Sequence, residues 1–198
     1  MKKIPLEYHR LSKVKKKIII IGSNSTLAKE FIKFLNQKDL LIFKISKKDI
    51  NFSKNYKSIK LFKMLKNINP DIILNCVGKF ALNKSATEEL LVINVLPTWE
   101  LIKFYMKNKP KKKVNLIVLG SSSYKSPRKK YMMYSASKVA LYRLVKSAEE
   151  FFIRSNFKIK IFNPSTFGGK HINTFKKKPN DNIYLVAKKV YSYINKFL

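Results

Sequence analysis

Short runs of apolar residues recur along the chain, and each is followed by a segment whose apolar positions have helical spacing. Apolar runs of this length, ended by Gly, Pro or Asn, are typical of buried strands in a parallel sheet. Asp49-Ile50, where a single apolar residue follows a polar one, is predicted to form one rudimentary further strand. The main strands are predicted at Lys17–Ile21, Leu40–Ile45, Asp71–Val77, Val114–Leu119 and Ile159–Phe162.

Apolar residues every three or four positions predict amphipathic helices between these runs. Pro97 lies inside one of the long helical segments, where proline starts a second helix or kinks the first. A Gly-, Pro- and Lys-containing loop is predicted over Pro164–Asn180. The helices are predicted at Thr26–Asn36, Asn55–Asn67, Ala86–Asn108, Met133–Ser155 and Asn182–Phe197.

This alternation predicts an α/β fold, a doubly wound, Rossmann-like parallel sheet of five to six strands with helices on both faces. Residues 17–198 are predicted to form a single domain, preceded by a basic N-terminal arm over residues 1–16. Ligands of such folds bind at the carboxyl ends of the strands. The segments at that edge are Gly22–Ala28, Ser46–Asn51, Asn75–Phe80, Gly120–Lys130 and Asn163–Lys170.

Cysteine and hydropathy narrow the function classes. Cys76 is the only cysteine, so an intrachain disulfide is excluded, and with two histidines the chain has too few ligands for a structural zinc site. No apolar run approaches the ~20 residues of a membrane helix. The basic N-terminus has no continuous apolar stretch and does not resemble a secretory signal. We therefore predict a cytoplasmic protein with no membrane span and no metal.

The formal net charge of +32 suggests a polyanionic partner, but only four of the 43 Lys and Arg residues are Arg. Arg is the preferred side chain for phosphate and guanine recognition. Lys, Ile and Asn are abundant together, which is typical of A/T-rich coding sequence and explains the charge without a partner. A nucleic-acid-binding protein remains an alternative with no specific motif behind it.

The turn after the first strand, Gly22–Ala28, has the position of a pyrophosphate-binding loop. Glycine there lets backbone N–H groups approach a phosphate at the helix N-terminus, which makes Gly22, Ser25, Thr26 and Leu27 candidate cofactor residues. Two expected glycines are replaced by Thr26 and Ala28. A tight turn with a polar cap is the alternative interpretation.

The end of the second strand bears on the choice of cofactor. An acidic residue at this place would accept the ribose 2′-hydroxyl of NAD. Ser46, Lys47 and Lys48 stand there instead, and a hydroxyl with ammonium groups suits the 2′-phosphate of NADP. The sequence therefore favours NADP(H) over NAD(H).

Tyr134-x3-Lys138 is the sharpest catalytic candidate, although the chain holds five Tyr-x3-Lys pairs where composition alone predicts about two. Only Tyr134 opens a long amphipathic helix one loop after a Gly-Ser strand end. The spacing places both side chains on one helix face. An ammonium beside a phenol lowers the pKa of the tyrosine, so we expect Tyr134 to act as a general acid or base.

These residues resemble those of the short-chain dehydrogenases/reductases. Ser121 lies thirteen residues before Tyr134, and a Tyr-Ser-Ala-Ser-Lys stretch, Tyr134–Lys138, follows. Asn75-Cys76-Val77-Gly78, Asn94 and Pro164 fall in the family order. The resemblance covers residues 17–161. The chain departs from it in the cofactor loop, in Ser165 where the family has Gly, and in lacking a seventh strand.

The resemblance implies a role for each matching residue. Tyr134 would donate the proton to a substrate carbonyl, Ser121 would hydrogen-bond the same oxygen, with Ser122 as its rival, and Lys138 would hold the cofactor ribose. Asn94 would kink its helix and hold a proton-relay water. Asn75, Gly78 and Pro164 would line the cofactor. It also implies a homodimer or homotetramer.

A narrower resemblance begins at Ser121-Ser122-Ser123-Tyr124 and includes Arg128 in the loop before Tyr134. It is similar to the reductase half of bifunctional ribulose-5-phosphate reductase/ribitol-5-phosphate cytidylyltransferases, which make activated polyol phosphates for surface polysaccharides. Arg128 with Lys125 or Lys129 would clamp a substrate phosphate. The expected substrate is a small anionic molecule. A degenerate fold member that binds a nucleotide or partner without turnover remains the main alternative.

Overall fold

The computed structural model describes residues 15–36, 40–54, 59–164 and 182–196. Their centre is a five-stranded, all-parallel sheet in the order β2-β1-β3-β4-β5. This confirms the predicted Rossmann-like α/β fold. The strands are β1 Lys16–Ile21, β2 Leu40–Ile45, β3 Ile72–Asn75, β4 Val114–Leu119 and β5 Phe157–Phe162.

Within the described residues, four α-helices and two short 3₁₀ turns connect the strands, and a fifth α-helix follows the last strand. The helix through Pro97 is continuous, so proline does not start a new helix there. The helices are α1 Thr26–Leu35, α2 Ile59–Ile68, α3 Glu89–Lys107, α4 Met132–Phe151 and α5 Ile183–Asn195, and the 3₁₀ turns are Asn83–Ser85 and Ser122–Tyr124.

The central strands β1, β3 and β4 bury side chains on both faces of the sheet, which explains their continuous apolar runs. On β1, Ile19 and Ile21 face the core formed with α2, α3 and α4. Ile18 and Ile20 face the opposite core, formed with α1 and α5. Side chains alternate along a strand, so a strand covered on both sides must be apolar throughout.

The rudimentary strand predicted at Asp49-Ile50 is wrong. The backbone N–H groups of Asp49 and Ile50 both donate to the carbonyl of Ser46, each at 3.1 Å, and close a turn after β2. The Asp49 carboxylate accepts from the Ser46 N–H at 2.8 Å and stabilises that turn. Ile50 is buried as a single side chain. Among the described residues β2 is therefore the edge of the sheet.

Two predicted segments lie largely or wholly outside the described residues. These are the N-terminal arm, of which only residues 15 and 16 are described, and the loop after Pro164. In the described part of the chain, no helix combines the length and the apolarity needed to cross a membrane.

Candidate active site

A cleft of about 370 Å³ opens at the carboxyl ends of β1, β2 and β3. The turn after β1, the turn after β2 and the segment after β3 form its walls. Five predicted cofactor residues line it: Gly22, Ser25, Ser46, Lys47 and Gly78. The topology thus collects residues that are far apart in sequence at one edge of the sheet, as expected for a parallel fold.

Gly22 is required by the geometry of the first turn. Its φ is +78°, and a Cβ there would lie 2.9 Å from the carbonyl carbon of Cys76. The Gly22 N–H donates to the Ile45 carbonyl at 2.8 Å, which ties the turn to the end of β2. A side chain at this position would be strained and would collide with backbone.

The first turn of α1 can receive an anion despite the two missing glycines. Ser25 caps the helix, and its hydroxyl accepts from the Ala28 N–H at 3.2 Å. The N–H groups of Thr26 and Leu27 make no hydrogen bond within the described residues. Ala28 is fully buried, so its methyl group occupies core space rather than the cleft. Together with the positive φ of Gly22, these free donors fit a pyrophosphate.

The turn after β2 combines a hydroxyl, an ammonium and a carboxylate. The Ser46 hydroxyl donates to Asp49 at 2.7 Å, and these hydrogen bonds from Ser46 hold the pKa of Asp49 below its ordinary value. Lys47 is exposed at the cleft, whereas Lys48, its predicted companion, does not line it. Asn51, in a segment predicted at this edge, also lines the cleft, and so does Phe52, which was not predicted. The alternation of buried Ile50 and Phe52 within a polar segment was the signal that could have found it.

Tyr134 lies in the first turn of α4, with its phenol near the Ser121 hydroxyl. Its ring packs edge-on against Phe80 at 4.9 Å between centroids and against Tyr131 at 5.9 Å. The Lys138 ammonium is buried 5.7 Å from the centre of the Tyr134 ring and 3.5 Å from the Leu119 carbonyl. The structure therefore brings together Ser121, Tyr134 and Lys138.

Burial dominates the pKa values of this group. It raises the pKa of Tyr134 above its ordinary value, and the hydrogen bond from Ser121 offsets only part of that rise. Burial also lowers the pKa of Lys138 to about 8. In the protein alone the pKa of Tyr134 is therefore raised, and not lowered as the spacing to Lys138 predicts, because removing the phenol from water disfavours the phenolate.

Asn94, buried on α3, connects the cleft to the helix that carries Tyr134 and Lys138. Its side chain binds both backbone groups of Lys79 and donates to the Ser137 hydroxyl at 2.8 Å. The Ser137 hydroxyl in turn donates to the Tyr134 carbonyl at 2.7 Å. A Cβ on Gly78 would lie 3.3 Å from Asn94 Oδ1 and 3.5 Å from Lys138 Nζ. Asn94 thus holds the segment around Gly78 in place against the part of α4 that carries Lys138.

The two candidate serines have different surroundings. Ser121 contacts Tyr134, whereas the Ser122 backbone N–H donates to the Pro164 carbonyl at 3.0 Å. The N–H of Ser121 donates to Asn163 Oδ1 at 3.1 Å. Asn163 was not predicted as a partner of Ser121, because the sequence marks Asn163 only by its position before Pro164.

Two predicted cofactor residues support the site from below. Asn75 is buried; its side chain donates to Thr98 Oγ1 at 3.0 Å and accepts from the Val77 N–H at 3.1 Å. Asn75 therefore shapes the turn that ends in Gly78. Pro164 is also buried and holds the serine turn through its carbonyl.

Arg128 lies in the loop that leads into α4. Its carbonyl accepts from the Tyr131 N–H at 3.1 Å, which places its backbone one turn from the Phe80–Tyr131–Tyr134 ring cluster. The Arg128 Nε is buried and has no hydrogen-bond partner among the described residues. Lys125 is exposed at the end of the serine turn. Asn83 clasps the loop by donating to the Lys129 carbonyl at 2.7 Å.

Several solved structures share this fold. A short-chain dehydrogenase from Burkholderia cenocepacia, in complex with NADP, has a TM-score of 0.76 and 12% identity over 91% of this chain and 84% of that chain. A 4-hydroxyisoleucine dehydrogenase complexed with NADH has a TM-score of 0.71 and 19% identity over 91% and 90%. A dTDP-4-dehydrorhamnose reductase from Clostridium acetobutylicum has a TM-score of 0.66 and 18% identity over 91% and 71%.

At these identities the structures show the fold alone, and a search of curated proteins found no significant sequence match. A family model settles the relationship. The model of the short chain dehydrogenases matches residues 9–179, which include the cofactor cleft and the Ser121–Tyr134–Lys138 group. The chain therefore belongs to the short-chain dehydrogenase/reductase family and is an NAD(P)-dependent oxidoreductase.

Proposed function

We propose that this enzyme uses NADP(H) to reduce the carbonyl of a phosphorylated or nucleotide-activated sugar, such as a ketose phosphate that becomes a polyol phosphate, for surface polysaccharide synthesis. The observation that supports an anionic substrate is the buried Nε of Arg128, which has no hydrogen-bond partner among the described residues. A buried donor without an acceptor is costly, so a substrate oxyanion that satisfies it would bind tightly.

The residues around the cleft fit a nicotinamide dinucleotide. The free N–H groups of Thr26 and Leu27 would hold the pyrophosphate, and Gly78 would leave room beside Lys138 for a ribose. NADPH, when bound, supplies the hydride. Lys47, exposed at the cleft, supports a preference for the 2′-phosphate of NADP.

Tyr134 would supply the proton that the reduced carbonyl oxygen needs. Its raised pKa keeps the phenol protonated near neutral pH, which suits proton donation in the reductive direction. The Ser121 hydroxyl, which lies near the phenol, would donate to the same carbonyl oxygen and stabilise its developing charge. Lys138, which carries its proton below pH 8, would hydrogen-bond the ribose, and its ammonium would favour proton release from Tyr134.

The test compares NADPH oxidation with ketose phosphates, nucleotide-linked keto sugars and the same ketoses without phosphate. We expect turnover only with the anionic substrates. Arg128→Gln should lower kcat/KM for a phosphorylated substrate by about 100-fold, as for loss of a charge-assisted hydrogen bond. Arg143→Gln is the matched control, because Arg143 is exposed on α4 away from the loop. Equal loss in both variants, or activity with uncharged ketoses alone, would contradict the proposed substrate class.

We also propose a homodimer or homotetramer in the cytoplasm. Apolar side chains remain exposed along the flanks of α3 and α4, among them Leu91, Met132 and Val139. Burying this strip against a second copy would remove apolar surface from water. Sedimentation of the purified protein over a range of concentrations tests the assembly state.

A further inference from the structure

Two large apolar side chains are exposed where α4 ends. Phe151 is 65% exposed and Ile153 is 70% exposed, although the residue between them, Phe152, is buried. Phe152 is fixed in the core by an edge-on contact with Phe157 at 4.7 Å between ring centroids. This anchor holds the turn in place, so that its two neighbours present apolar surface to solvent.

A lysine-rich loop packs directly against this turn. Residues 107–113, from the last residue of α3 to the start of β4, contain five lysines. The Asn156 side chain donates to the carbonyls of Pro110 at 3.3 Å and Lys111 at 3.0 Å, and the Asn156 carbonyl accepts from the Val114 N–H at 2.9 Å. These bonds place the apolar turn and the lysine loop side by side at the amino end of β4 and β5.

Positive charge dominates this region. Lys112 is paired with Asp71 at 2.6 Å, and the other four lysines of the loop are exposed. Glu149 is bound by Lys146 and Lys160 at 2.6 and 3.3 Å. Glu150 is exposed on α4, and Arg154 is exposed beside Ile153. We call Phe151, Ile153, Arg154 and the exposed lysines 107, 109, 111 and 113 the basic-apolar tip.

We propose that the basic-apolar tip docks the enzyme onto an anionic lipid surface. An apolar pair that enters the boundary between headgroups and acyl chains, ringed by lysines that meet anionic headgroups, is the arrangement that binds proteins peripherally to membranes. Lys stems are long enough to keep their ammonium groups at headgroup level while Phe151 and Ile153 go deeper.

Two other occupants fit less well. A second copy meeting the tip across a two-fold axis would bring like charges together. A nucleic acid would neutralise the lysines but leave Ile153 without an apolar partner. The tip lies at the amino ends of the strands, opposite the cofactor cleft, so docking leaves the active site open to solvent.

The test measures cosedimentation of the full chain with vesicles of phosphatidylcholine, with and without about a third phosphatidylglycerol. We expect binding to anionic vesicles only, and a loss of at least about tenfold in the partition coefficient for Phe151→Ser/Ile153→Ser. Ile59→Ser on α2 is the matched apolar control, because Ile59 is 71% exposed elsewhere. Lys111→Gln/Lys113→Gln should also weaken binding, and more than Lys29→Gln/Lys188→Gln, whose lysines are exposed on α1 and α5.

Circular dichroism and cofactor titration show whether each variant is folded. The proposal is overturned if binding ignores Phe151 and Ile153, or if the two lysine pairs have equal effects, because the net charge would then act alone. It is also overturned if the tip variants lose RNA binding or self-association and vesicle binding is unchanged.

Discussion

The Asn94 side chain brackets the backbone of Lys79: Oδ1 accepts from the Lys79 N–H at 2.7 Å, and Nδ2 donates to the Lys79 carbonyl at 3.0 Å. The same amide nitrogen reaches Ser137 on α4. One buried side chain on α3 therefore links the segment after β3, which lines the cofactor cleft, to the helix that carries Tyr134 and Lys138.

Asn94→Ala should break this link. Three buried hydrogen bonds are lost, which should lower the free energy of unfolding by roughly 2–4 kcal/mol. The Michaelis constant for NADPH should rise together with a fall in kcat, because the floor of the site and α4 are both released. Urea unfolding and steady-state kinetics measure the two effects. Asn115→Ala is the control, since Asn115 is also buried but lies at the start of β4. Kinetic losses of the same size in both variants would refute the positioning role.

Tyr134→Phe should reduce turnover by about 10²–10⁴-fold, the usual contribution of a general acid, while the affinity for NADPH changes little. Ser121→Ala should also lower kcat, because the Ser121 hydroxyl lies near the phenol and would donate to the same substrate oxygen. Ser122→Ala should leave kcat nearly unchanged, because Ser122 binds the Pro164 carbonyl through its backbone. Fluorescence titration with NADPH and single-turnover rates test all three. A larger effect at Ser122 than at Ser121 would reverse the assignment.

The strands could be predicted well from the sequence because burial on both faces makes them continuously apolar. The prediction failed where this condition fails. β5 begins at Phe157, two residues before the predicted Ile159. Phe157 is buried, but Lys158 and Lys160 on this edge strand are not, so the first residues of β5 do not form an apolar run. Asp49-Ile50 was predicted as a strand because Ile50 is apolar, but the Asp49 carboxylate accepts from the backbone N–H of Ser46 and favours a turn.

The grouping of Ser121, Tyr134 and Lys138 could be predicted because their spacing is local to one helix and one strand end. Their supporting partners could not. Asn163 reaches Ser121 across 42 residues and Asn94 reaches Ser137 across 43. The direction of the Tyr134 pKa shift also depends on burial by Phe80 and Tyr131, which no spacing reveals.

Gly22→Ala should be far more damaging than Gly78→Ala. At Gly22 the new methyl group would meet the Cys76 backbone at 2.9 Å with a positive φ, so we expect a loss of about 2–4 kcal/mol in unfolding free energy and weak NADPH binding. At Gly78 the methyl would approach only side-chain atoms, at 3.3 Å from Asn94 and 3.5 Å from Lys138. Stability should therefore change little there, and kcat should fall. Thermal unfolding paired with NADPH titration separates the two cases, and similar stabilities would contradict the argument.

Lys47→Ala should weaken binding of NADPH and leave binding of NADH nearly unchanged, because only the former carries a 2′-phosphate. We expect about a tenfold rise in the dissociation constant for NADPH, as for one exposed charge-assisted contact. Lys48→Ala is the control, since Lys48 is an exposed neighbour that does not line the cleft. A wild-type enzyme that binds NADH more tightly than NADPH would refute the proposed cofactor preference.

Burial of the Lys138 ammonium should lower the stability of the fold, although the proposed activity needs that ammonium. In the folded protein its pKa is about 8, against an ordinary value of 10.5, because the ammonium is buried. Below pH 8 the folded chain must bury a charge, whereas between pH 8 and 10.5 it has lost a proton that the unfolded chain still holds. Stability therefore rises with pH in that window from this group.

Lys138→Met removes this cost, so it should stabilise the protein by roughly 3 kcal/mol at pH 7, and by much less at pH 9.5. Turnover should be lost at both pH values, because the ammonium that would hold the ribose is gone. Urea unfolding of wild type and variant at the two pH values gives the difference directly, and Lys188→Met on α5 corrects for removal of an exposed lysine. A gain that is independent of pH would mean that packing of the methionine, rather than the buried charge, controls the stability of this site.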